Sequence, residues 1–141
     1  MHENDISQRV IGCAIEVHRQ LGPGLLESVY EEALSYEITQ CGLSYRRQQQ
    51  VPISYKLVSL ATPLRLDLIV EEKVILEIKA KEEIAPIDKQ QLLTYLRLRD
   101  VSLGLLINFN VTKLVNGITR VVNGLQETTL PDKTLSGPLR L

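Results

Sequence analysis

The fold is decided by residues 65–79, which read Arg65-Leu66-Asp67-Leu68-Ile69-Val70, then Glu71-Glu72-Lys73, then Val74-Ile75-Leu76-Glu77-Ile78-Lys79. Both flanking segments are nearly continuous apolar runs, which is typical of strands in a sheet covered on both faces. The short polar segment between them predicts a tight turn. We therefore expect a central β-hairpin that carries a few charged residues inside its strands.

A three-residue turn would place Asp67 opposite Glu77. Counting outward from the turn pairs Val70 with Val74 and then Asp67 with Glu77, whereas a two-residue turn would need a bulge. Directly paired side chains share one face of the sheet, about 5 Å apart, and Lys79 shares the face of Glu77. The alternative register puts Asp67 and Glu77 on opposite faces and leaves a small folded domain without a metal site.

Two carboxylates at paired positions repel each other and call for a cation. Mg²⁺, or Mn²⁺ in its place, prefers carboxylate oxygens and water as ligands. The bound ion lowers the pKa of a coordinated water, which Lys79 could orient or help deprotonate next to a phosphate.

An ordinary solvated sheet face is the competing interpretation of these charges. We favour a pocket, because alternation leaves Ile69 and Ile75 among the charges and a helix beginning at Ile87 would cover them. Leu66 and Leu68 are then expected together on the other face.

Hydrophobic periodicity on either side of the hairpin predicts alternating helices and strands. The first helix begins after Asn4 or Asp5 and ends at Gly22-Pro23-Gly24. The predicted helices cover about 5–21, 26–41 and 87–98, and the strands 43–57 (long or broken), 64–70, 74–80, 101–109 and a candidate edge strand at 118–122. This order fits one three-layer α/β domain over residues 1–123. We expect residues 124–141 to be a polar tail, loose or ordered only by docking on a partner.

The composition is that of an ordinary globular protein, with 141 residues, 44% hydrophobic and 23% charged residues and a net charge of −1. That charge argues against a protein that coats nucleic acid non-specifically. The N-terminus is polar and no apolar run approaches the roughly 20 residues of a membrane span, so we expect a cytoplasmic protein with no membrane partner. Cys13 and Cys41 lack zinc-site spacing, which favours reduced core thiols.

Asp67, followed after nine residues by Glu77-Ile78-Lys79, resembles the D-(x)n-(D/E)-x-K signature of the PD-(D/E)XK nuclease superfamily. The α-β-β-β-α-β order resembles its restriction-endonuclease-like core with a central mixed sheet, here with an extra N-terminal helix. The chain is closer still to the GxxExxY branch, through Gly24-Leu25-Leu26-Glu27-Ser28-Val29-Tyr30 and the neighbouring residues 17–23 and 91–96. The resemblance covers about residues 5–123. It departs from the pattern at Leu66, where the superfamily often has Pro.

The resemblance implies roles for the matching acidic and basic residues. Glu27 would complete a metal site with Asp67 and Glu77, and Lys79 would be the catalytic lysine. The alternative for Glu27 is an ordinary first-turn acid favoured by the helix dipole.

Three further residues would lie on the substrate side of the site. Gln91 and Tyr95 resemble a QxxxY helix motif near the metal and the DNA, and their spacing places them on one helix face. Tyr30 can face the same way as Glu27. The alternative for both tyrosines is core packing with a satisfied hydroxyl.

Two functions follow from these assignments. The first is Mg²⁺-dependent phosphodiester hydrolysis of nucleic acid, with DNA favoured, which the resemblance implies would leave a 5′-phosphate and a 3′-hydroxyl. The second is a catalytically inactive module that keeps the nuclease fold and binds nucleic acid or protein. Intact acids and lysine favour the first, while small size and near-neutral charge favour the second. Either would gain from forming a homodimer, because one copy offers little surface for a duplex.

Overall fold

The computed structural model describes residues 1–62 and 64–126, and in them helices pack on both faces of a five-stranded mixed sheet. The helices are α1 (Glu3–Leu21), α2 (Glu27–Gln40) and α3 (Pro86–Arg99). The strands are β1 (Tyr45–Val51), β2 (Ser54–Tyr55), β3 (Val58–Ser59), β4 (Leu64–Val70), β5 (Val74–Lys79), β6 (Leu103–Asn108) and β7 (Ile118–Val122). The expected restriction-endonuclease-like α/β architecture is confirmed. Most of the predicted tail, residues 127–141, lies outside the described residues.

The strand order in the sheet is β1-β4-β5-β6-β7. Only β5 and β6 run parallel, and α3 makes the crossover that a parallel connection requires. The other neighbours are antiparallel. The segment 43–57 is broken, as one of its two predicted forms allowed: β1 ends at Val51, before Pro52, and β2 and β3 form a separate small hairpin.

The turn between β4 and β5 has the three residues that the sequence predicts. Val70 pairs with Val74 and Leu68 with Leu76, and the strand pairing stops there. Glu71 and Glu72 both adopt positive φ, which few residues other than glycine do. The Glu71 carboxylate accepts hydrogen bonds from the backbone N–H and hydroxyl of Ser44, which helps hold this turn.

Two buried apolar clusters lie on opposite faces of the sheet, one under α1 and α2 and the other under α3. Leu68 and Leu76 belong to the first cluster, and Ile69 and Ile75 to the second. Leu66 also belongs to the second, so its expected place beside Leu68 is wrong. The change of face falls at the intervening residue, where the backbone pairing between β4 and β5 has already ended.

The first helix begins earlier than the sequence predicts. Its N-cap is His2, whose Nδ1 accepts a hydrogen bond from the Asn4 backbone N–H at 2.9 Å, so Asn4 and Asp5 lie inside the helix. Within the described part of the chain, no helix is long and apolar enough to cross a membrane.

The third helix lies unusually close to the sheet at Gly104. A Cβ added there would stand 2.9 Å from Leu92 Cδ1, closer than real Cβ atoms come to their neighbours. Glycine therefore allows α3 to pack tightly on β6. This close packing sets the distance between α3 and the sheet, and so the position of α3 relative to the charged residues of β4 and β5.

Candidate active site

The site centres on Asp67 of β4 and Glu77 of β5, just past the last backbone pair of the hairpin. Glu77 Oε2 accepts a hydrogen bond from the Asp67 backbone N–H at 2.9 Å. Asp67 Oδ2 accepts one from the Ile78 backbone N–H at 2.7 Å. Each carboxylate is thus held by the backbone of the other strand. The two acids stand together, and the alternative register that would separate them is excluded.

Each of these carboxylates keeps one oxygen open. Within residues 1–62 and 64–126, no hydrogen bond reaches Asp67 Oδ1 or Glu77 Oε1. No buried side-chain oxygen in that part of the chain lacks a hydrogen-bond partner, so both atoms must reach solvent. The site therefore presents two positioned carboxylate oxygens, the ligand type that hard divalent cations prefer.

Without a cation, burial and mutual repulsion destabilise the charged forms of the two acids. Glu77 is only 6% exposed. Burial, followed by the charge of Asp67, raises the pKa of Glu77 to about 8. Burial also raises the pKa of Asp67, although the hydrogen bond from the Ile78 N–H acts the other way. At neutral pH the pair therefore retains a proton or requires a compensating positive charge.

Lys79 supplies part of that charge. It is partly buried, and its charge lowers the pKa of both Asp67 and Glu77. Its Nζ lies 3.9 Å from Asp88 Oδ1. Asp88 Oδ2 in turn accepts hydrogen bonds from Lys81 Nζ and from the Ala85 backbone N–H, both at 2.8 Å. Asp88 thus links the catalytic-lysine candidate to the start of α3, a role that the sequence did not reveal.

A family model of the PD-(D/E)XK nuclease superfamily matches residues 4–121, which include the hairpin and all three helices. The chain belongs to this superfamily. Comparison with curated proteins gave no match, and neither did comparison with solved structures. The match covers the superfamily as a whole, so the resemblance to its GxxExxY branch stays a prediction.

The candidate site contains a buried acid that the sequence analysis missed. Glu31 of α2 accepts hydrogen bonds from Arg47 Nε at 3.0 Å and from Gln48 Nε2 at 2.9 Å. Its charge contributes to the raised pKa of both Asp67 and Glu77, so it acts on the pair electrostatically. Its spacing one turn after Glu27 is the signal that could have identified it.

Glu27 stands farther from the centre than expected. It is exposed in the first turn of α2, and its charge raises the pKa of Asp67 less than that of Glu31 does. Among the described residues, no three His, Cys, Asp or Glu side chains come close enough to hold a metal ion. The predicted ligand set of Glu27, Asp67 and Glu77 is therefore brought together only in part.

The third helix brings Tyr95 to the carboxylate pair. Burial is the main cause that raises the pKa of Tyr95, and the charges of Glu77 and Asp67 raise it further. Its hydroxyl makes no hydrogen bond to any described residue and, by the argument used for the carboxylates, reaches solvent. Gln91, one turn earlier, is exposed. Tyr95 therefore lies beside the carboxylate pair, whereas Gln91 lies on the exposed surface of α3.

Tyr30 is placed differently. Its ring is fully buried and stacks on Phe109, with 4.5 Å between centroids. Its hydroxyl donates to the Gly22 carbonyl at 2.6 Å and accepts from the Leu25 N–H at 3.0 Å. Gly24, with a φ of 99°, lies in the loop that this tie closes. Tyr30 therefore holds the loop before α2, as the core-packing alternative expects, and offers no surface to a substrate.

Proposed function

We propose that this protein is a divalent-metal-dependent nuclease that hydrolyses phosphodiester bonds in DNA. The observation that carries the proposal is the reciprocal pairing of Asp67 and Glu77, which fixes two carboxylates and leaves one oxygen of each open to solvent. Membership of a nuclease superfamily over residues 4–121 supports the same reaction class.

The residues present fit Mg²⁺ or Mn²⁺. Magnesium sites commonly use one or two carboxylates and complete their octahedron with water and substrate phosphate, so Asp67 and Glu77 suffice as direct ligands. Glu27 is the proposed outer acid, because its charge already acts on Asp67. When bound, the ion would supply positive charge at the phosphate and acidify a coordinated water.

The chain's own groups would do the remaining work. The Lys79 ammonium, kept beside the acids by Asp88, would orient the attacking water and offset negative charge that develops on the phosphate. The open Tyr95 hydroxyl and the exposed Gln91 amide would hydrogen-bond the substrate strand.

The test is a cleavage assay on single-stranded and duplex DNA and on RNA, with Mg²⁺ or Mn²⁺. We expect Glu77→Gln to reduce DNA cleavage by about 10²-fold or more, since it removes one metal ligand without changing side-chain size. Glu83→Gln, at an exposed position, is the matched control and should cleave normally. Unchanged cleavage by Glu77→Gln would rule out the proposed site.

A non-catalytic binding module is the second candidate. It is favoured by the finding that the described residues gather no three metal-ligating side chains. A wild-type protein that binds DNA in the presence of Mg²⁺ but cleaves no strand form under any condition would support this candidate and contradict hydrolysis.

A further inference from the structure

The β2–β3 hairpin stands apart from the main sheet. Ser54 pairs with Ser59 and Tyr55 with Val58, and these strands form a two-stranded sheet of their own. Lys56, at the turn, has a φ of 56°, a left-handed conformation that costs energy for a residue with a Cβ. The hairpin is short, contains a strained residue and does not extend the main sheet. A role in folding therefore does not explain it.

The side chains of this hairpin are apolar and exposed. Tyr55 is 61% exposed, Val58 60%, and Leu57 at the tip is completely exposed. Leu60, just after β3, is 42% exposed. Such residues grouped at one projection mark an interaction site rather than ordinary surface.

The sequence of the hairpin and its flanking segments carries only positive charge. From residue 43 to residue 66 the sequence has no Asp or Glu and four cations: Arg46, Arg47, Lys56 and Arg65. Arg46 and Arg47 are engaged in ion pairs with acids from elsewhere in the chain. Lys56 and Arg65 are exposed, and no ion pair involves either of them within the described residues. Two exposed cations that make no ion pair within the described residues favour a polyanionic partner.

The hairpin connects β1 to β4, the strand that carries Asp67. It leaves β1 at Val51 and returns through β4 at Leu64, and these two residues pair with each other. Asp67 is three residues into β4, which corresponds to a distance of about 10 Å along the strand. A nucleic acid bound at the carboxylates would therefore pass within reach of the hairpin.

We infer that the β2–β3 hairpin is a nucleic-acid-binding element that prefers unpaired bases. Lys56 and Arg65 contact phosphates, Tyr55 stacks on a base, and Leu57 inserts beside it. Lys56 Nζ lies 5.6 Å from the centre of the Tyr55 ring, so a cation and an aromatic surface are presented together. Aromatic stacking and apolar insertion both require bases that are already unstacked or easily separated. This inference rests on the proposed function, from which it takes nucleic acid as the substrate class. It adds a preference for single strands.

The test measures binding by fluorescence anisotropy in EDTA, with labelled oligothymidylate of about 20 nucleotides and the matching duplex as probes. We expect the wild type to bind the single strand more tightly than the duplex. Tyr55→Ala should weaken single-strand binding about tenfold, the usual loss for one base–aromatic stack. Tyr36→Ala is the matched control, because Tyr36 is a tyrosine of nearly equal exposure on α2, outside the hairpin.

Three results would overturn the inference. One is unchanged single-strand binding in both Tyr55→Ala and Leu57→Ser, with circular dichroism showing both variants folded. Another is a failure of the wild type to prefer the single strand, whether the duplex binds equally well or better or neither probe binds. The third is concentration-dependent self-association of the wild type that Leu57→Ser abolishes, which would assign the hairpin to a second copy of this chain. Cleavage with normal binding by the hairpin variants would refute this inference alone, whereas hairpin-dependent binding without cleavage would refute only the proposed hydrolysis.

Discussion

The two hairpins of this protein depart from the usual distribution of polar and apolar residues in opposite ways. The β4–β5 hairpin places two acids, Asp67 and Glu77, among apolar residues that are almost completely inaccessible. The β2–β3 hairpin exposes Tyr55 and Leu57 to solvent. Neither arrangement favours the folded state by itself. Both become understandable if one hairpin binds a cation and the other binds a substrate.

The comparison also separates what each hairpin contributes to folding. The buried hairpin provides residues to both apolar clusters, and its pairing with β1 and β6 forms the centre of the sheet. The exposed hairpin contributes to neither cluster. We therefore expect substitutions in the exposed hairpin to cost little stability, which makes the contrast directly testable.

The largest expected effect is on stability. Leu76→Ala in the buried hairpin should lower the free energy of unfolding by about 2–5 kcal/mol, because it leaves a cavity in the core. Leu57→Ala in the exposed hairpin should change it by less than about 0.5 kcal/mol. Urea denaturation of the two variants checks the contrast. Similar losses in both would show that the exposed hairpin is part of the folding core.

Removing the lysine beside the acids should reduce activity strongly. Lys79→Met should slow DNA cleavage by about 10²–10³-fold, because it removes a positive charge from the site while keeping the length of the side chain. Lys113→Met, at an exposed position before β7, serves as the control. Single-turnover kinetics under saturating enzyme separate this loss from weaker binding. A Lys79→Met enzyme as fast as the control would remove Lys79 from the mechanism.

The close packing of α3 on the sheet gives a further prediction. Gly104→Ala should lower the free energy of unfolding by about 1–3 kcal/mol, because the new Cβ overlaps Leu92. Combining it with Leu92→Ala should cost less than the sum of the two single changes, since the cavity accepts the methyl group. Thermal denaturation of the single and double variants measures the coupling. Strict additivity would show that this contact does not limit the position of α3.

The raised pKa of Glu77 predicts a pH dependence of stability in the metal-free protein. Between the ordinary pKa of 4.5 and about 8, the folded state keeps a proton on Glu77 that the unfolded state has lost. The free energy of unfolding should therefore fall as pH rises through this interval and level off above pH 8. We expect a fall on the order of 1 kcal/mol, because the open carboxylate oxygen stays hydrated and part of the effect is shared with Asp67.

The control for this pH dependence is Glu77→Gln, which cannot ionise. Its free energy of unfolding should change less between pH 5 and pH 8 than that of the wild type. Denaturation series in EDTA at several pH values provide the comparison. Parallel pH profiles for the two proteins would show that Glu77 ionises normally in the folded state.

Much of the buried hairpin could be predicted from sequence because strand geometry is strict. The turn at residues 71–73 sets which residues pair, and alternation then brings Asp67 and Glu77 together. The side-chain-to-backbone bonds that replace further strand pairing were not predictable, since they depend on where the strands separate. For the same reason Leu66 packs on the opposite face from the one that simple alternation gives.

The site features that the sequence did not reveal depend on contacts between segments that are distant along the chain. In the sequence Glu31 is an ordinary helix acid, and only the structure shows that Arg47 and Gln48 bind it and that its charge raises the pKa of Glu77. Asp88 looks like a helix-capping acid, and only the structure shows it beside Lys79. The sequence also did not reveal the exposed hairpin, because residues 43–57 alternate like one long or broken strand.

The most direct test of the central claim is a calorimetric titration of Mg²⁺ into the wild type, Glu77→Gln and Glu83→Gln, each with and without a non-hydrolysable oligonucleotide. The account predicts that the wild type and Glu83→Gln bind Mg²⁺ and that Glu77→Gln does not. Equal binding by Glu77→Gln would place the metal elsewhere. Absence of binding to the wild type, even with the oligonucleotide present, would show that Asp67 and Glu77 do not form a metal site.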